Sequence, residues 1–566
     1  MTNIQSLKIT FVALAMSAWI GVAFAAEPKP LEEMKWGHVC SGRMPEEWYA
    51  SDQARNIADV VVAVQKTNGG WMKNDQMHKL TEEQFGKLMS EKRKHSCLDN
   101  YATTQEMRYL AHVYRYQKDE RYRQSFLKAL NMILACQKRC GGWSQYWPLS
   151  GKGSYQDYIT FNDDLMTNVM LMLRDIYENE GDFKDLVDPA MRERCRKAFD
   201  RGLQCILACQ IDDEGVKSVW CAQHDTVTLL PAEGRPHELP SFCCQESASL
   251  LEFLMSIENP SKEVREAIAA AADWLDKHKI ENKGLEDYTN AEGLPDRRII
   301  DQPGNALWGR FVQLGGKTAK RTYKLFFKHL DERNKTRKQV YQGREYSYRE
   351  ADNARESYDP KRAYEPIYGI YKDTLVNLYY RFLYNYEETP AIIDRNGVPQ
   401  RTSLFWQNRS KYQFLGNWCW EVIYGEFPMW QERVAGADEA AQNGWTQLTV
   451  TPDMLYNAKH KDYNMARLGT IKMSPTTHEI DVPKGMEAVR IVIHGFANSA
   501  EDEAVIKSVN GMDGEYVFPK KVYNPVYTTH VIDLSGAPAK DNVPFVLEGG
   551  QCCVVIRMYC KETKQN

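Results

Sequence analysis

A repeated segment built around glycine and tryptophan constrains the fold of this chain more than any other feature. Two copies run from Gln65 to Trp71 and from Gln137 to Trp143, and a looser third copy runs from Gln210 to Trp220. The leading glutamines are spaced by about 72 residues, the length of two helices with their loops. Apolar residues at three- and four-residue spacing precede the copies, so each copy follows a predicted amphipathic helix.

A second predicted helix follows each copy after an interval. These helices begin near Thr103, Asp163 and Gln245, where a polar residue stands before an apolar-periodic run. Glycine permits the left-handed backbone that ends the first helix of each pair. Stacked helical pairs that close into a ring predict a mainly α fold of the α/α toroid type, with Trp71 and Trp143 at the mouth of the inner helices.

The character of the sequence changes towards the C-terminus. The helical domain is predicted to span residues 26–389, with a last helix from Thr374 to Tyr386. Strand-like alternation in 487–494, 529–534 and 552–558 predicts a β-rich, sandwich-like domain over residues 390–566. Its first part, 390–445, is an aromatic-rich connecting segment that could pack against both domains.

The first 25 residues are typical of a secretory signal peptide. Lys8 precedes an apolar run, and Ala23-Phe24-Ala25 forms a small-x-small cleavage site. We therefore expect export to a periplasm or to the outside of the cell. The 14 cysteines include no CxxC pair, so we predict buried structural thiols with a few disulfides rather than a zinc site.

Charge and hydropathy exclude some partners. The net charge of −4 gives no basic excess for bulk nucleic-acid binding. Beyond the signal peptide, no apolar stretch is long enough to span a membrane, and no obligate protein partner is evident. The 14 Trp and 31 Tyr residues suit a protein that stacks on sugar rings, although large helical cores also use many aromatics.

Acidic residues cluster where the inner helices begin. Asp99 precedes the first of these helices, and Asp163 and Asp164 precede the second. Carboxylates gathered at one end of a ring repel each other, and a divalent cation would relieve that repulsion. Calcium takes six to eight oxygen ligands, so Asp99 with Asp163 or Asp164 predicts a calcium site assembled from separate segments.

Arginines follow the acidic segments. Arg235 stands on a turn beside Pro236, and Arg310, Arg321 and Arg344 come later. The planar guanidinium binds carboxylates in a bidentate manner. Several arginines and a metal around one cleft would fit a polyanionic sugar such as a uronate polymer.

Taken together, the motifs resemble those of the pectate lyases of polysaccharide lyase family 10. The resemblance covers about residues 50 to 320 and rests on six motifs in order, which begin at Gly69, Asp99, Gly141, Tyr158, Trp220 and Arg235. It implies an (α/α)3 toroid that cleaves polygalacturonate, the pectin backbone, by calcium-assisted β-elimination, in the endo manner in known members. The expected products are 4,5-unsaturated oligogalacturonides.

The resemblance also implies roles for individual residues. Asp99 and one of Asp163 and Asp164 match calcium ligands, and Arg235 matches the arginine that removes the C5 proton. The expected cofactor is Ca2+ and the expected partner is polygalacturonate or a pectin oligosaccharide. The candidate substrate-binding residues are Lys73, Trp71, Asn100, Trp143, His224, Asp225, Arg310, Arg321 and Arg344.

Two other functions and one other base remain open from the sequence. Asp163 and Asp225 could act as the acid and base of a glycoside hydrolase on an α/α barrel, or the chain could be a non-catalytic glycan-binding protein. Because the pKa of free arginine is about 12.5–13.8, Arg235 as the base predicts a pH optimum above about 8. His224 is the alternative base if the optimum lies lower.

Overall fold

The computed structural model of the protein describes residues 30–41, 44–151, 154–234, 238–289, 295–334, 338–341, 344–347, 361, 363–366, 415–451, 454–456 and 471–563. Its α-helices are α1 (Trp36–Cys40), α2 (Asp52–Val64), α3 (Glu82–Ser90), α4 (Thr104–Gln117), α5 (Glu120–Cys136), α6 (Leu165–Glu178), α7 (Pro189–Cys209), α8 (Cys244–Met255), α9 (Lys262–Lys277), α10 (Gly316–Asn334) and α11 (Phe427–Asn443). No helix among these residues is long and apolar enough to cross a membrane.

Helical pairs build the first domain as the repeat predicts. The outer helices α2, α5, α7 and α9 pack in sequence, each against the next, and the inner helices α4, α6 and α8 do the same. The inner helices begin at Thr104, Leu165 and Cys244, within two residues of the predicted starts. The mainly α, toroid-type fold is therefore confirmed.

A fourth copy of the repeat was missed in the sequence. The indole N–H of Trp308 donates to the carbonyl of Leu275 at 2.8 Å, as the three earlier tryptophans do to the helices before them. Its inner helix is the segment that leads through a π-helical turn, Val422–Glu426, into α11, and this turn packs against α8 and α9. More than one hundred residues separate Trp308 from this helix, so the period is lost in the sequence.

Short strands join the loops of the helical domain. They are β1 (Ser96–Cys97), β2 (Tyr146–Trp147), β3 (Ile159–Thr160), β4 (Asp212–Asp213), β5 (Val216–Lys217), β6 (Gln223–His224), β7 (Pro231–Ala232), β8 (Ser241–Cys243), β9 (Ile280–Thr289), β10 (Pro295–Gly309), β11 (Phe311–Gln313), β12 (Lys338–Tyr341), β13 (Arg344–Ser347) and β14 (Leu415–Gly416). The hairpin of β9 and β10 lies inside the range of the predicted helical domain and was not predicted from the sequence. The predicted helix Thr374–Tyr386 and the boundary at 389 and 390 lie outside the described residues.

Two antiparallel sheets form the C-terminal domain, which confirms its β-rich character. Its strands are β15 (Thr446–Thr449), β16 (Leu455–Tyr456), β17 (Ile471–Met473), β18 (Thr476–Asp481), β19 (Met486–Ala497), β20 (Ala504–Val509), β21 (Met512–Phe518), β22 (Thr528–Asp533), β23 (Asn542–Gly549) and β24 (Cys552–Glu562). One sheet has the order β15-β24-β19-β22, with β17 also paired to β24, and the other has the order β16-β18-β23-β20-β21. Ile493 and Ile556 of the first sheet share a core with Phe545 and Ile506 of the second.

Helix α11 connects the two domains. Trp430 is buried in the core of the helical domain, whereas Ala440 packs with residues of β19 and β24. The part of the connecting segment that the structure describes thus packs against both domains. All fourteen cysteines are free thiols, and only Cys140 is not fully buried, so the predicted buried thiols are present without the predicted disulfides.

Candidate active site

The repeated tryptophans lie in the core rather than at a cleft. Trp71 donates from its indole nitrogen to the carbonyl of Val61 at 2.8 Å, and Trp143 donates to that of Ile133 at 2.9 Å. Both side chains are almost fully buried, which leaves no ring face for a sugar. The expectation that Trp71 and Trp143 bind substrate is therefore wrong, because the repeat specifies a core contact.

The leading glutamines explain why the repeat recurs. The side-chain amides of Gln65, Gln137 and Gln210 each donate two hydrogen bonds of 2.7–2.9 Å. One bond goes to the carbonyl of the residue's own loop and the other to a carbonyl of the next outer helix. Each glutamine thus ties one repeat to its neighbour and sets where the following loop starts.

Asp99 is the most deeply buried of the predicted metal ligands. It lies two residues beyond β1, whose Cys97 pairs with Tyr146 of β2, and only 2% of its surface is exposed. Its Oδ2 forms an ion pair with the Lys73 ammonium, while its buried Oδ1 accepts no hydrogen bond from the described residues. Burial opposes the charge of Lys73, but the charge of Asp99 and its hydrogen bond together raise the pKa of Lys73.

Strained backbone marks both acidic segments. Asn100 and Tyr101 have φ angles of 52° and 62°, and Asp163 and Asp164 have φ angles of 52° and 56°. Such left-handed residues cost about 1–3 kcal/mol each and cluster at functional sites. The Tyr101 hydroxyl lies 3.3 Å from Oδ2 of Asp164, so the two segments meet. Tyr101 was not predicted from the sequence, although it stands two residues after Asp99.

A small sheet brings a third segment to the same end of the domain. Strands β3 and β7 both pair antiparallel with β6, so they run in the same direction, about 10 Å apart. The residues that follow each strand therefore leave the sheet at one end. These are Asn162 to Asp164 after β3, and Glu233 and Gly234 after β7.

Arg235 follows Gly234 in the sequence but lies outside the described residues. Gly234 and Glu238, on either side of residues 235–237, are joined by a bond of 2.9 Å from the N–H of Gly234 to the carbonyl of Glu238. Gly234 and Glu238 therefore lie next to each other.

Arg310 supports the second acidic segment. Its guanidinium donates to Oδ1 of Asn162 at 3.0 Å and to Oε1 of Glu246 at 2.7 Å, and only 5% of its surface is exposed. Neither Asn162 nor Glu246 was predicted as a site residue. Arg310 follows Trp308 by two positions, as Lys73 follows Trp71, so both cations hold side chains of the site from equivalent places in the repeat.

Two predicted substrate ligands have structural roles instead. His224 is fully buried, its Nδ1–H donates to the carbonyl of Leu229 at 2.9 Å and its Nε2 accepts from the N–H of Cys221 at 3.0 Å. Burial also lowers its pKa to about 4. Because both ring nitrogens are bonded to the backbone inside the core, neither is free to bind a sugar or to take the C5 proton. Oδ1 of Asp225 accepts bonds from Val227 and Thr228, so this carboxylate stabilises its own turn.

For two further arginines, the described residues show no contact with this site. Arg321 is exposed on α10, and only the backbone of Arg344 is described, in β13. Their proposed contacts with substrate therefore stay predictions.

The acidic residues fit calcium only as part of its ligand set. No group of three or more His, Cys, Asp or Glu side chains that could hold a metal lies within the described residues. Asp99 nevertheless presents a buried carboxylate oxygen that accepts no hydrogen bond from the described residues, and the half-buried Asp164 contacts Tyr101, two residues after Asp99. Two carboxylates from these segments suit an ion that takes its other oxygens from water and from an acidic ligand.

The fold and the site define a helical toroid with a carboxylate centre flanked by cations. The model of one protein family, pectic acid lyase, matches residues 65–355, so the chain belongs to the pectic acid lyase family and is a polysaccharide lyase. No curated protein matches the chain closely enough to compare.

Two solved structures are similar to this chain. A family 10 polysaccharide lyase from Cellvibrio cellulosa is 29% identical, with a TM-score of 0.41, over 49% of this chain and 82% of its own. A mutant of that lyase in complex with trigalacturonic acid is 28% identical, with a TM-score of 0.40, over 50% of this chain and 84% of its own.

Proposed function

We propose that this enzyme cleaves polygalacturonate by calcium-assisted β-elimination and releases 4,5-unsaturated oligogalacturonides. The observation that carries the proposal is Asp99, whose carboxylate is buried, paired on one oxygen with Lys73 and without a donor on the other among the residues that the structure describes. Membership of the pectic acid lyase family supports this substrate class.

The chemical difficulty is the acidity of the C5 proton. This proton lies next to a carboxylate, so its removal adds charge to a group that is already negative. A bound calcium ion would neutralise that carboxylate and so stabilise the charge that develops in the transition state. Asp99 with Asp163 or Asp164 would hold the ion.

The residues of this chain position the sugar acid and the base. Lys73 keeps the carboxylate of Asp99 in one orientation, and Arg310 fixes Asn162 directly before Asp163. We assign the removal of the C5 proton to Arg235, because it matches the family's catalytic arginine in the sequence. The small sheet supports the assignment, since the chain leaves β3 towards the acidic residues and β7 towards Arg235 at the same end. The proton moves to this guanidine, the bond from C4 to the leaving oxygen breaks, and the C4–C5 double bond forms.

Calcium-dependent formation of unsaturated product tests the proposal. Polygalacturonate incubated with the enzyme should gain absorbance in the ultraviolet when calcium is present and none when it is chelated. Asp99→Asn should lower the rate by about 100-fold or more, since it weakens the binding of the calcium ion that would stabilise the charge of the transition state. Asp225→Asn, whose carboxylate serves a turn, is the matched control and should retain most of the activity.

The opposite results identify the alternatives. New reducing ends without ultraviolet absorbance would show hydrolysis instead of elimination. Binding of polygalacturonate without any product would show a glycan-binding protein.

We also propose that the enzyme is exported. The proposal rests on the N-terminal residues, where a charged residue, an apolar run and a small-x-small site stand in the order that a signal peptide requires. Export would bring the enzyme to a polymer that is too large to enter a cell.

A further inference from the structure

A pocket of 260 Å³ opens on the first repeat, beside the candidate active site. It is lined by Met72, Glu91, Lys94, His95, Tyr146, Ser150 and Gln156. This volume is just below the range of about 300–1,000 Å³ that is usual for small-molecule pockets. It suits one sugar ring rather than a long segment of polymer.

Two residues of the pocket lining lie next to the Asp99 centre. Met72 stands between the core residue Trp71 and the site residue Lys73. Tyr146 pairs in β2 with Cys97 of β1, and its phenol is close enough to Lys73 and Asp99 to interact with their charges. A polymer bound at Asp99 would therefore lie close to the pocket lining at Tyr146.

The lining matches the chemistry of a sugar acid. Met72 and the half-buried ring of Tyr146 offer apolar contact for a sugar face, and Ser150 and Gln156 offer polar groups for hydroxyls. Lys94 supplies a cation and is held by an ion pair of 2.9 Å with Glu91, although 64% of its side chain is exposed. The run Lys92 to His95 makes this rim of the domain basic.

We propose that this pocket is an additional subsite, which binds a further uronate unit of the substrate polymer beyond the sugar at Asp99. Lys94 pairs with the carboxylate of that unit, and Glu91 competes with the carboxylate for Lys94. The inference rests on the proposed function, because it assumes that the polymer reaches Asp99. Beyond that function, the inference predicts that the affinity of the enzyme for an oligogalacturonate increases once the oligomer is long enough to enter the pocket.

The dependence of kcat/KM on oligomer length tests the inference. With oligogalacturonates from trimer to octamer, Lys94→Ala should lower kcat/KM about tenfold for the long oligomers, which corresponds to about 1.4 kcal/mol, and leave the shortest cleaved oligomer unchanged. Glu91→Gln should raise kcat/KM for the long oligomers by about two- to threefold, because it frees Lys94 from a competing charge. Damage to the fold would not produce such a gain.

Arg93→Ala is the matched control, because Arg93 is an exposed neighbour of equal charge that does not line the pocket. Equal effects of Lys94→Ala and Arg93→Ala, or an equal loss at every length, would overturn the inference. If the wild-type enzyme forms no unsaturated product, the proposed function fails. Calorimetric affinity of the octamer for the same variants, measured with a chelator, then still tests the pocket.

Discussion

Burial has opposite consequences for Asp99 and His224, and the difference lies in what their polar atoms contact. Both ring nitrogens of His224 are hydrogen-bonded to backbone groups, so the buried imidazole is a fixed part of the core. One oxygen of Asp99 accepts no bond from the described residues. An unmade bond on a buried oxygen is costly, and a ligand that satisfies this oxygen recovers that free energy.

The depressed pKa of His224 predicts a stability that depends on pH. The folded protein holds the imidazole neutral down to a pH of about 4, whereas the unfolded chain protonates it near 6.5. Its contribution is therefore complete above pH 6.5 and is lost as the pH falls towards 4. The loss amounts to about 3 kcal/mol, at about 1.4 kcal/mol per pKa unit.

Urea unfolding of the wild type and of His224→Gln at pH 7 and pH 4 measures this contribution. The glutamine amide can donate and accept as the imidazole does but does not titrate. Between pH 7 and pH 4, the wild type should lose about 3 kcal/mol more free energy of unfolding than the variant. An equal loss in both proteins would contradict the assignment, and so would a changed pH–activity profile of the variant between pH 6 and 9.

At the scale of the repeat, glycine fixes how closely each loop approaches the next outer helix. Gly141 has a φ angle of +95°, and a Cβ built on it would lie 2.1 Å from the carbonyl oxygen of Arg201 in α7. Gly69 meets the carbonyl of Lys128 in α5 in the same way, at 2.7 Å. The first glycine of the pair therefore serves both the left-handed backbone and the spacing of the outer helices.

Replacing Gly141 separates these two requirements. Gly141→Ala should lower the free energy of unfolding by about 2–5 kcal/mol, from backbone strain together with the steric overlap. Gly215→Ala is the control, because Gly215 has a φ angle of +92° but no neighbour within 4 Å of a built Cβ. It should cost about 1 kcal/mol, from the strain alone. Equal losses, measured by urea unfolding, would show that the approach to α7 is not needed.

The repeat could be recognised in the sequence, but the sequence did not show whether its tryptophan side chains point into the core or into a cleft. Periodicity located the helix starts, since polar caps and apolar spacing are local signals. Whether Trp71 faces a cleft or the core depends on the carbonyl of Val61, and a pattern of residue types cannot show that contact. The acidic segments were found by composition, whereas Tyr101 and Arg310 join them through contacts between residues far apart in the chain.

At the scale of the whole molecule, α11 belongs to both domains. Glu432 of this helix accepts bonds of 2.7 Å from Arg557 and from the hydroxyl of Tyr559, both in β24. The side chain of Arg557 is almost fully buried, so its charge depends on this carboxylate. Two residues earlier on the helix, Trp430 packs into the helical core. Unfolding of either domain should therefore disturb the other.

Glu432→Ala tests whether the two domains unfold together. Loss of one partner of a buried ion pair costs about 3–5 kcal/mol, and the cost here should lower the midpoint of one shared thermal transition. Far-UV circular dichroism and loss of lyase activity should shift together, because the first reports both domains and the second only the helical one. Lys507→Ala, in an exposed ion pair of the β20–β21 hairpin, is the control and should leave the midpoint unchanged. The alternative outcome is two separate transitions, of which Glu432→Ala lowers only the one that leaves activity intact. That outcome would show that the sandwich unfolds independently and that α11 transmits no stability between the domains.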